Sequence, residues 1–459
     1  MKIIILGAGQ VGTALAESLS NEKQMEVTLV DNHPARLRDL RDKLDIGIVQ
    51  GHASHPEILR SAGAEDADIL VAVTGVDEIN MMACQIAHTL YHTPTKICRV
   101  RAKSYVQHAT LFQSSAIPID VLISPEQLVT DHIIGLLEHP GALQVLNFAD
   151  GRARLVAIRA QAGDKFIGET LYDIRKMTPK HDARVAAIFR GDRAIKPQRE
   201  TEIEPLDEVF YIAAAENIKP VMQELGQLSR PYRRLMIAGG GNIGLRLAQA
   251  IENKYSVKLI EWNEERADFI AEQLGKTIVL KGSASDRELL LSENIDAIDV
   301  FIALTNDDEA NIMSSLLAKR LGARKVITLI ANPAYVDLVQ GADIDIAFAP
   351  QQVTIGSLLT HVRRGDMAAV HSLRRGAAEA IEIIAHGDAK TSKVVGCRID
   401  ELALPEGVRF GAIVRGKKVI VAHQDVVIEP EDHVVVFVAD KNQIHAVESL
   451  FQVGIGFFG

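Results

Sequence analysis

The chain has 459 residues, 47% of them hydrophobic, with a formal net charge of −10 and a pI near 5.9. That length suits about three or four domains, each able to bury a core. The acidic balance argues against nucleic acid, which demands a basic face, and no run of roughly 18 apolar residues exists to insert into a bilayer.

The first element is Met1-Lys2-Ile3-Ile4-Ile5-Leu6-Gly7, a β-rich run leading into a glycine turn without a signal peptide's cleavage region. Short β-rich runs follow at Val27–Val30, Ile46–Val49, Ile69–Val73, Ile97–Val100 and Val121–Ile123, with helical patterns such as Val11–Leu19 and Asn80–Leu90 between them. Six strands with crossover helices predict a doubly wound, Rossmann-like parallel sheet in an α/β chain. A longer helix begins after Pro125 and stops at His139-Pro140-Gly141. Residues 142–216 read differently, with strands at Arg154–Ile158, Ala183–Phe189 and Glu208–Ala213 and one helix near Thr170–Lys176. This is a small α+β module, followed by a polar helix from about Asn217 and a linker, Ser229-Arg230-Pro231-Tyr232-Arg233-Arg234.

The second half repeats the plan. Gly7-Ala8-Gly9-Gln10-Val11-Gly12 returns there as Gly239-Gly240-Gly241-Asn242-Ile243-Gly244. Leu29-Val30-Asp31 answers Leu259-Ile260-Glu261, and Thr74, Asp77, Glu78 and Asn80 answer Thr305, Asp308, Glu309 and Asn311. In the small modules, Arg190-Gly191 and Ile203-Glu204-Pro205-Leu206-Asp207 answer Arg415-Gly416 and Ile428-Glu429-Pro430-Glu431-Asp432. So long a period is a tandem duplication of whole domains rather than a solenoid. The expected domains are 1–140 and 229–365, each doubly wound, and 141–228 and 366–459, each a small module.

The glycines let the backbone turn tightly against a pyrophosphate, and the helix starting at Gln10 offers it free N–H groups and a positive dipole end. Asp31 closes the second strand, beyond the helix that carries Gly12. A carboxylate there accepts both ribose hydroxyls of an adenosine and repels a 2′-phosphate, which favours NAD over NADP. In a plain α/β domain the same residue would merely cap a helix. Glu261 holds the corresponding place after Gly244. The expected nucleotide site thus takes in Gly7, Gly9, Gln10, Val11, Gly12, Asp31, Ala53, Ser54 and Thr74, and in the repeat Gly239, Gly241, Asn242, Ile243, Gly244 and Glu261. Arg99 and Arg101 end the fifth strand, where a guanidinium suits phosphate. Aligning Thr328 and Ile330 with them leaves the second site without that clamp. Asp77, Glu78 and Asn80 are read as capping the next helix and helping the domains pair, in preference to ligand or metal contacts.

No metal is expected, because His52, His55, His88 and His92 lack convincing ligand spacing. Cys84, Cys98 and Cys397 show neither ligand nor disulfide spacing, which suits a reduced cytoplasm. A dehydrogenase needs a proton donor and an anion anchor beside the nicotinamide. Neither small module repeats a His, Lys or Cys candidate for that, and the repeated Arg-Gly and Ile-Glu-Pro-x-Asp read as turns and strand starts. No catalytic residue is therefore assigned, and the modules are read as ligand-binding or dimerising parts. An NAD-dependent oxidoreductase and a free-standing metabolic regulator are the alternatives. The tail residues Phe457 and Phe458 either dock on a neighbour or fray.

A dinucleotide domain followed by a small C-terminal module, twice over, resembles the TrkA family, the cytoplasmic regulatory subunits of bacterial Trk potassium uptake systems. Its paired domains are of the type called RCK or KTN. The likeness covers essentially the whole chain, and Met1–Gly12 with Gly51-His52-Ala53-Ser54-His55-Pro56 carries it most specifically. It implies a homo-tetrameric ring, peripheral on the inner face of the membrane, beneath a membrane-embedded Trk-type potassium transporter subunit. It also implies that NAD(H) and ATP or ADP bind the dinucleotide domains and reshape the ring. The matching residues are Gly7, Gly9, Gly12, Asp31, Arg101, Gly239, Gly241, Gly244 and Glu261.

Overall fold

A computed structural model describes residues 1–20, 22, 25–113, 115–177, 181–191, 193–227, 229–339, 343–363, 366–374 and 377–453. The tail residues Phe457 and Phe458 lie outside the described residues. The chain forms two compact units, one of Met1–Val129 with Val353–Leu358, the other of Thr130–Gln352 and the chain from Leu359 onward.

In the first unit six parallel strands, Lys2–Leu6 (β1), Glu26–Asp31 (β2), Gly47–Gln50 (β3), Ile69–Ala72 (β4), Thr95–Arg99 (β5) and Val121–Ile123 (β6), stand in the order β3-β2-β1-β4-β5-β6. Ile3, Ile4, Ile5 and Leu6 are all buried, as are Ile69, Leu70, Val71 and Ala72. Continuous apolar runs of this kind mark strands covered on both faces by crossover helices. Leu6 pairs with Val30 on one side and Ala72 on the other, so the strand order reverses around β1. That reversal opens a crevice at the carboxyl ends of β1 and β4.

The second unit repeats this sheet with Arg234–Ala238 (β12), Ser256–Glu261 (β13), Ile278–Lys281 (β14), Val300–Ala303 (β15), Lys325–Leu329 (β16) and Ile346–Phe348 (β17), in the order β14-β13-β12-β15-β16-β17. It also holds both small modules. The first has Gln144–Phe148 (β7), Ala153–Arg159 (β8), Ala183–Arg190 (β9), Arg193–Ile195 (β10) and Glu208–Ala214 (β11), in the order β10-β9-β11-β8-β7. The second has Met367–Leu373 (β18), Ala378–Ala385 (β19), Val408–Arg415 (β20), Lys418–Val421 (β21) and Asp432–Val438 (β22), in the matching order β18-β19-β22-β20-β21. Three of the first module's strands were expected; β7 and β10 are additional, each added beside a longer neighbour.

The two modules share a single core. Phe148, Leu155, Phe210 and Ile212 from one pack with Leu373, Ala380, Val435 and Phe437 from the other. The dimerising role expected of a module is thus met inside one chain. Polar groups fix the pairing: the Ala149 amide donates to Glu382 Oε2 at 2.7 Å, and His433 Nδ1 lies 2.5 Å from Glu382 Oε1. Among the described residues no helix is long and apolar enough to cross a membrane.

Candidate nucleotide site

An open cleft of about 320 Å³ lies where the first sheet's strand order reverses, with Gly7, Gly9, Asp31, Ala53 and Thr74 in its wall. Gly7 has φ +107°, and a Cβ there would sit 3.0 Å from the Thr74 Cα. Glycine is thus demanded both by the left-handed turn and by the approach of the next loop. Gly9 differs: a Cβ built on it meets nothing within 4 Å. The fold leaves room for a side chain there, on the wall of the cleft. Gln10, Val11 and Gly12 open the helix Gln10–Ser20, with Val11 and Gly12 buried.

Asp31 is oriented by the turn itself. The Ala8 amide donates to its Oδ2 at 2.7 Å and the His33 amide to its Oδ1 at 2.8 Å. Each oxygen keeps a lone pair for a sugar hydroxyl. Glu261 is held the same way, by Gly240 N at 2.8 Å and Asn263 N at 2.9 Å, and is buried. The helix Asn242–Ile251 opens with Asn242 after Gly239 and Gly241, and its N-cap, Gly241, provides no side-chain cap. Its first amides, near Ile243 and Gly244, thus lack a side-chain acceptor.

Thr74 is positioned by a repeated brace, while Ala53 is buried in the cleft wall. Asn80 Oδ1 accepts from Thr74 N at 2.9 Å and from Thr74 Oγ1 at 2.6 Å, while its Nδ2 donates to Thr74 O and Arg99 O. Asp77 Oδ2 accepts from the amides of Arg101 and Ala102, both at 2.9 Å. Asn311 and Asp308 do the same for Thr305, Leu329, Ala331 and Asn332. These side chains therefore tie strand ends together instead of capping the helix that follows, whose N-cap Val76 makes no side-chain cap bond. Ser54 lies next to the cleft, its hydroxyl 3.0 Å from His52 Nδ1. The His52 and His55 rings lie 4.8 Å apart.

The brace also corrects the alignment of the fifth strand. Asp77 binds Arg101 where Asp308 binds Ala331, so Arg99 and Arg101 correspond to Leu329 and Ala331, one residue beyond Thr328 and Ile330. The second half still has no arginine at either place. Arg99 lines the cleft and pairs with Glu126 at 3.1 Å. Arg101 stands beside it, with its guanidinium on the Gly75 carbonyl and 3.5 Å from Asp77.

Asn32, His33 and Arg36, which the glycine and carboxylate spacing does not single out, also stand in the cleft wall. Arg36 had a signal: it follows Asp31 at the same short interval at which Arg266 follows Glu261. In the second half Arg266 Nε donates to the Gly240 carbonyl at 2.9 Å, and its guanidinium lies over Phe269. Beside Glu261 is the chain's single tryptophan, Trp262, 76% exposed. Its counterpart in the first half is Asn32.

This geometry agrees with the comparisons to known proteins. The TrkA-N domain model matches residues 3–125 and 235–350, and the TrkA-C domain model matches 155–226 and 389–452. The chain belongs to the TrkA family. The Trk system potassium uptake protein TrkA of Halomonas elongata is 60% identical over 458 residues, 100% of each chain. The TrkA of Vibrio alginolyticus is 57% identical, covering 98% of this chain and 99% of its own. Among solved structures, the GsuK channel bound to NAD aligns with a TM-score of 0.61 at 17% identity, over 98% of this chain and 78% of that one. TrkA relatives thus match from end to end, and the solved channel shares the fold.

Proposed function

We propose that this chain is the nucleotide-sensing regulatory subunit that gates a membrane potassium uptake transporter. The observation that carries the reading is Gly9, a glycine the fold does not require, facing a cleft beside a carboxylate already aimed by two backbone amides. Two full-length relatives are named as Trk potassium uptake proteins, which supports the same role here.

In this reading NAD(H) or ATP/ADP occupies the first cleft. Gly7, Gly9, Gln10, Val11 and Gly12 face the phosphates, Asp31 holds a ribose, and Ala53, Ser54 and Thr74 close the sides. Arg36 and Arg99 supply phosphate contacts from the wall, with Arg101 behind Gly75. The second site uses Gly239, Gly241, Asn242, Ile243, Gly244 and Glu261. The domains run 1–140, 141–228, 229–365 and 366–459, and four chains form a ring against the cytoplasmic face of the transporter subunit. The chain is not an enzyme: its small modules use their repeated polar residues structurally, as Arg190 does with Asp207.

The test is potassium flux in vesicles holding the Trk-type membrane subunit and this chain. Adding NADH, ATP or ADP should change flux, and each effect should be lost with Gly9→Val or Asp31→Ala. Flux indifferent to every adenine nucleotide, with the complex intact, removes the gating role.

A further inference from the structure

Arg99 meets the first cleft already engaged. It ends β5 and lines the cleft wall, and its Nη2 donates to Glu126 Oε1 at 3.1 Å. Both side chains are largely buried, 19% and 10% exposed. Among the described residues the Arg99 Nε is buried without an acceptor. A guanidinium carries five N–H donors in a fixed fork, and a buried donor left unmatched is costly. A phosphate oxygen in the cleft is an acceptor of suitable charge.

The fold does not require this ion pair. The second half has Leu329 where Arg99 stands and Gln351 where Glu126 stands, both buried. It nevertheless builds a sheet of the same strand order and begins the corresponding helix at Pro350, as the first half does at Pro125. Gln351 Nε2 there donates to the Ala331 carbonyl at 2.7 Å. Both charges are thus absent together. Neutral side chains often serve a buried position as well as an ion pair does, so packing alone gives no reason for charges beside the first cleft. The cleft itself gives one. Arg36 also stands in its wall. With Arg99 unmatched, two cations would favour the most highly charged nucleotide; with Glu126 in place, one of them is already matched.

We propose, building on the nucleotide reading of the first cleft, that Glu126 sets its charge selectivity: by holding Arg99 it weakens the pull on a nucleoside triphosphate more than on the pyrophosphate of a dinucleotide. Coulomb energy scales with the product of the charges, so a carboxylate behind the phosphate contact costs the triphosphate more. Glu126 is a positioning residue. It stands behind the cleft wall and acts through the guanidinium that lines it.

The test uses the full chain carrying Gly241→Val to silence the second glycine turn, where a Cβ meets nothing within 4 Å. ATP, without magnesium, and NADH are titrated calorimetrically into this parent, and into it with Glu126→Gln, with Arg99→Leu and with both. Glu126→Gln should raise the ratio of ATP to NADH affinity about tenfold. Arg99→Leu should lower that ratio, and adding Glu126→Gln to it should leave the ratio where Arg99→Leu put it. A carboxylate acting by its own field, or by packing, would not give that pattern. A ratio unmoved by Glu126→Gln overturns the proposal, and so does an equal rise in the absence of Arg99. Gln351 shows that the fold accepts glutamine at this place; should Glu126→Gln still not fold, Glu126→Ala is read the same way. A parent that binds neither nucleotide removes the nucleotide reading of the cleft, and the proposal with it, before any variant is compared.

Discussion

Gly9 and Gly7 show two different reasons for a glycine. At Gly7 the left-handed φ and the neighbouring Thr74 backbone exclude a side chain. At Gly9 only a ligand would object. Gly9→Val should therefore leave the melting temperature within a degree or two, yet weaken NADH binding by tenfold or more, about 1.4 kcal/mol. Calorimetry giving wild-type affinity would remove the cleft as the nucleotide site. Asp31→Ala should weaken NADH comparably while raising the relative affinity for NADPH, since the charge that repels a 2′-phosphate is gone. If NADPH already binds wild type as tightly as NADH, Asp31 does not select. Asn80 is a brace, not a ligand contact. Asn80→Ala strands the Thr74 amide and the Arg99 carbonyl, and should cost on the order of 2 kcal/mol in denaturant unfolding. No loss of stability would show that water replaces those bonds freely.

Strands carry what the sequence made legible and what it did not. The six strands of each doubly wound sheet could be read because buried parallel strands are unbroken apolar runs. β10 could not, since Arg193-Ala194-Ile195 is too short to show alternation, and pairing with β9 alone makes it a strand. The glycines and the two carboxylates could be read from spacing; His33 and Arg36 reach the cleft only through the turn from β2 into the helix Pro34–Arg41. The repeated Ile-Glu-Pro-x-Asp looked like punctuation. Its aspartate is instead fully buried and grips the arginine that ends a neighbouring strand, at 2.9 and 2.9 Å for Arg190–Asp207 and 2.9 and 2.8 Å for Arg415–Asp432. Asp207→Ala should destabilise by on the order of 3 kcal/mol, measured by urea unfolding. A second polar link joins three strand ends: His386 lies 2.6 Å from Asp366 and 2.7 Å from Glu431. The hydrogen bond to Asp366, and after it the bond and charge of Glu431, raise the imidazole above its ordinary value against the opposing effect of burial. A raised folded pKa stabilises fully below the ordinary value, near 6.5, and that contribution is lost as pH rises through the folded value. The melting-temperature difference between wild type and His386→Gln should therefore shrink from about pH 6.5 upward. A difference that stays constant with pH would mean the imidazole is not charged in the fold.

For the whole molecule, the duplication matters because a ligand shifts an assembly only by its differential affinity for two arrangements. On the proposed reading, two similar but unequal sites, one with Arg36 and Arg99 in an open cleft and one with Arg266 laid on its own glycine turn, would give such an assembly two inputs of different character. The chain should sediment as a tetramer of 50.1 kDa subunits and co-purify with a Trk-type membrane subunit. Membranes lacking that subunit should leave it in the supernatant, because acidic residues outnumber basic ones 60 to 50 and anionic leaflets attract basic clusters. Equal sedimentation with both membranes would point to lipid or another partner. NADH absorbance should stay constant across hydroxy-acid and amino-acid substrates; a sustained fall would restore the oxidoreductase reading.

The unequal halves also make the protein its own optical instrument. Trp262 is the only indole in the chain, stands exposed next to Glu261, and is replaced by Asn32 in the first half. Excited near the red edge of its absorption, where tyrosine is silent, all emission comes from the position next to Glu261. Bound NADH there would accept that excitation, because its own absorption overlaps indole emission. Quenching would therefore report most strongly the NADH that arrives beside Glu261, while calorimetry counts all that is bound. The order in which the two sites fill can be followed in a single cuvette, with no label attached.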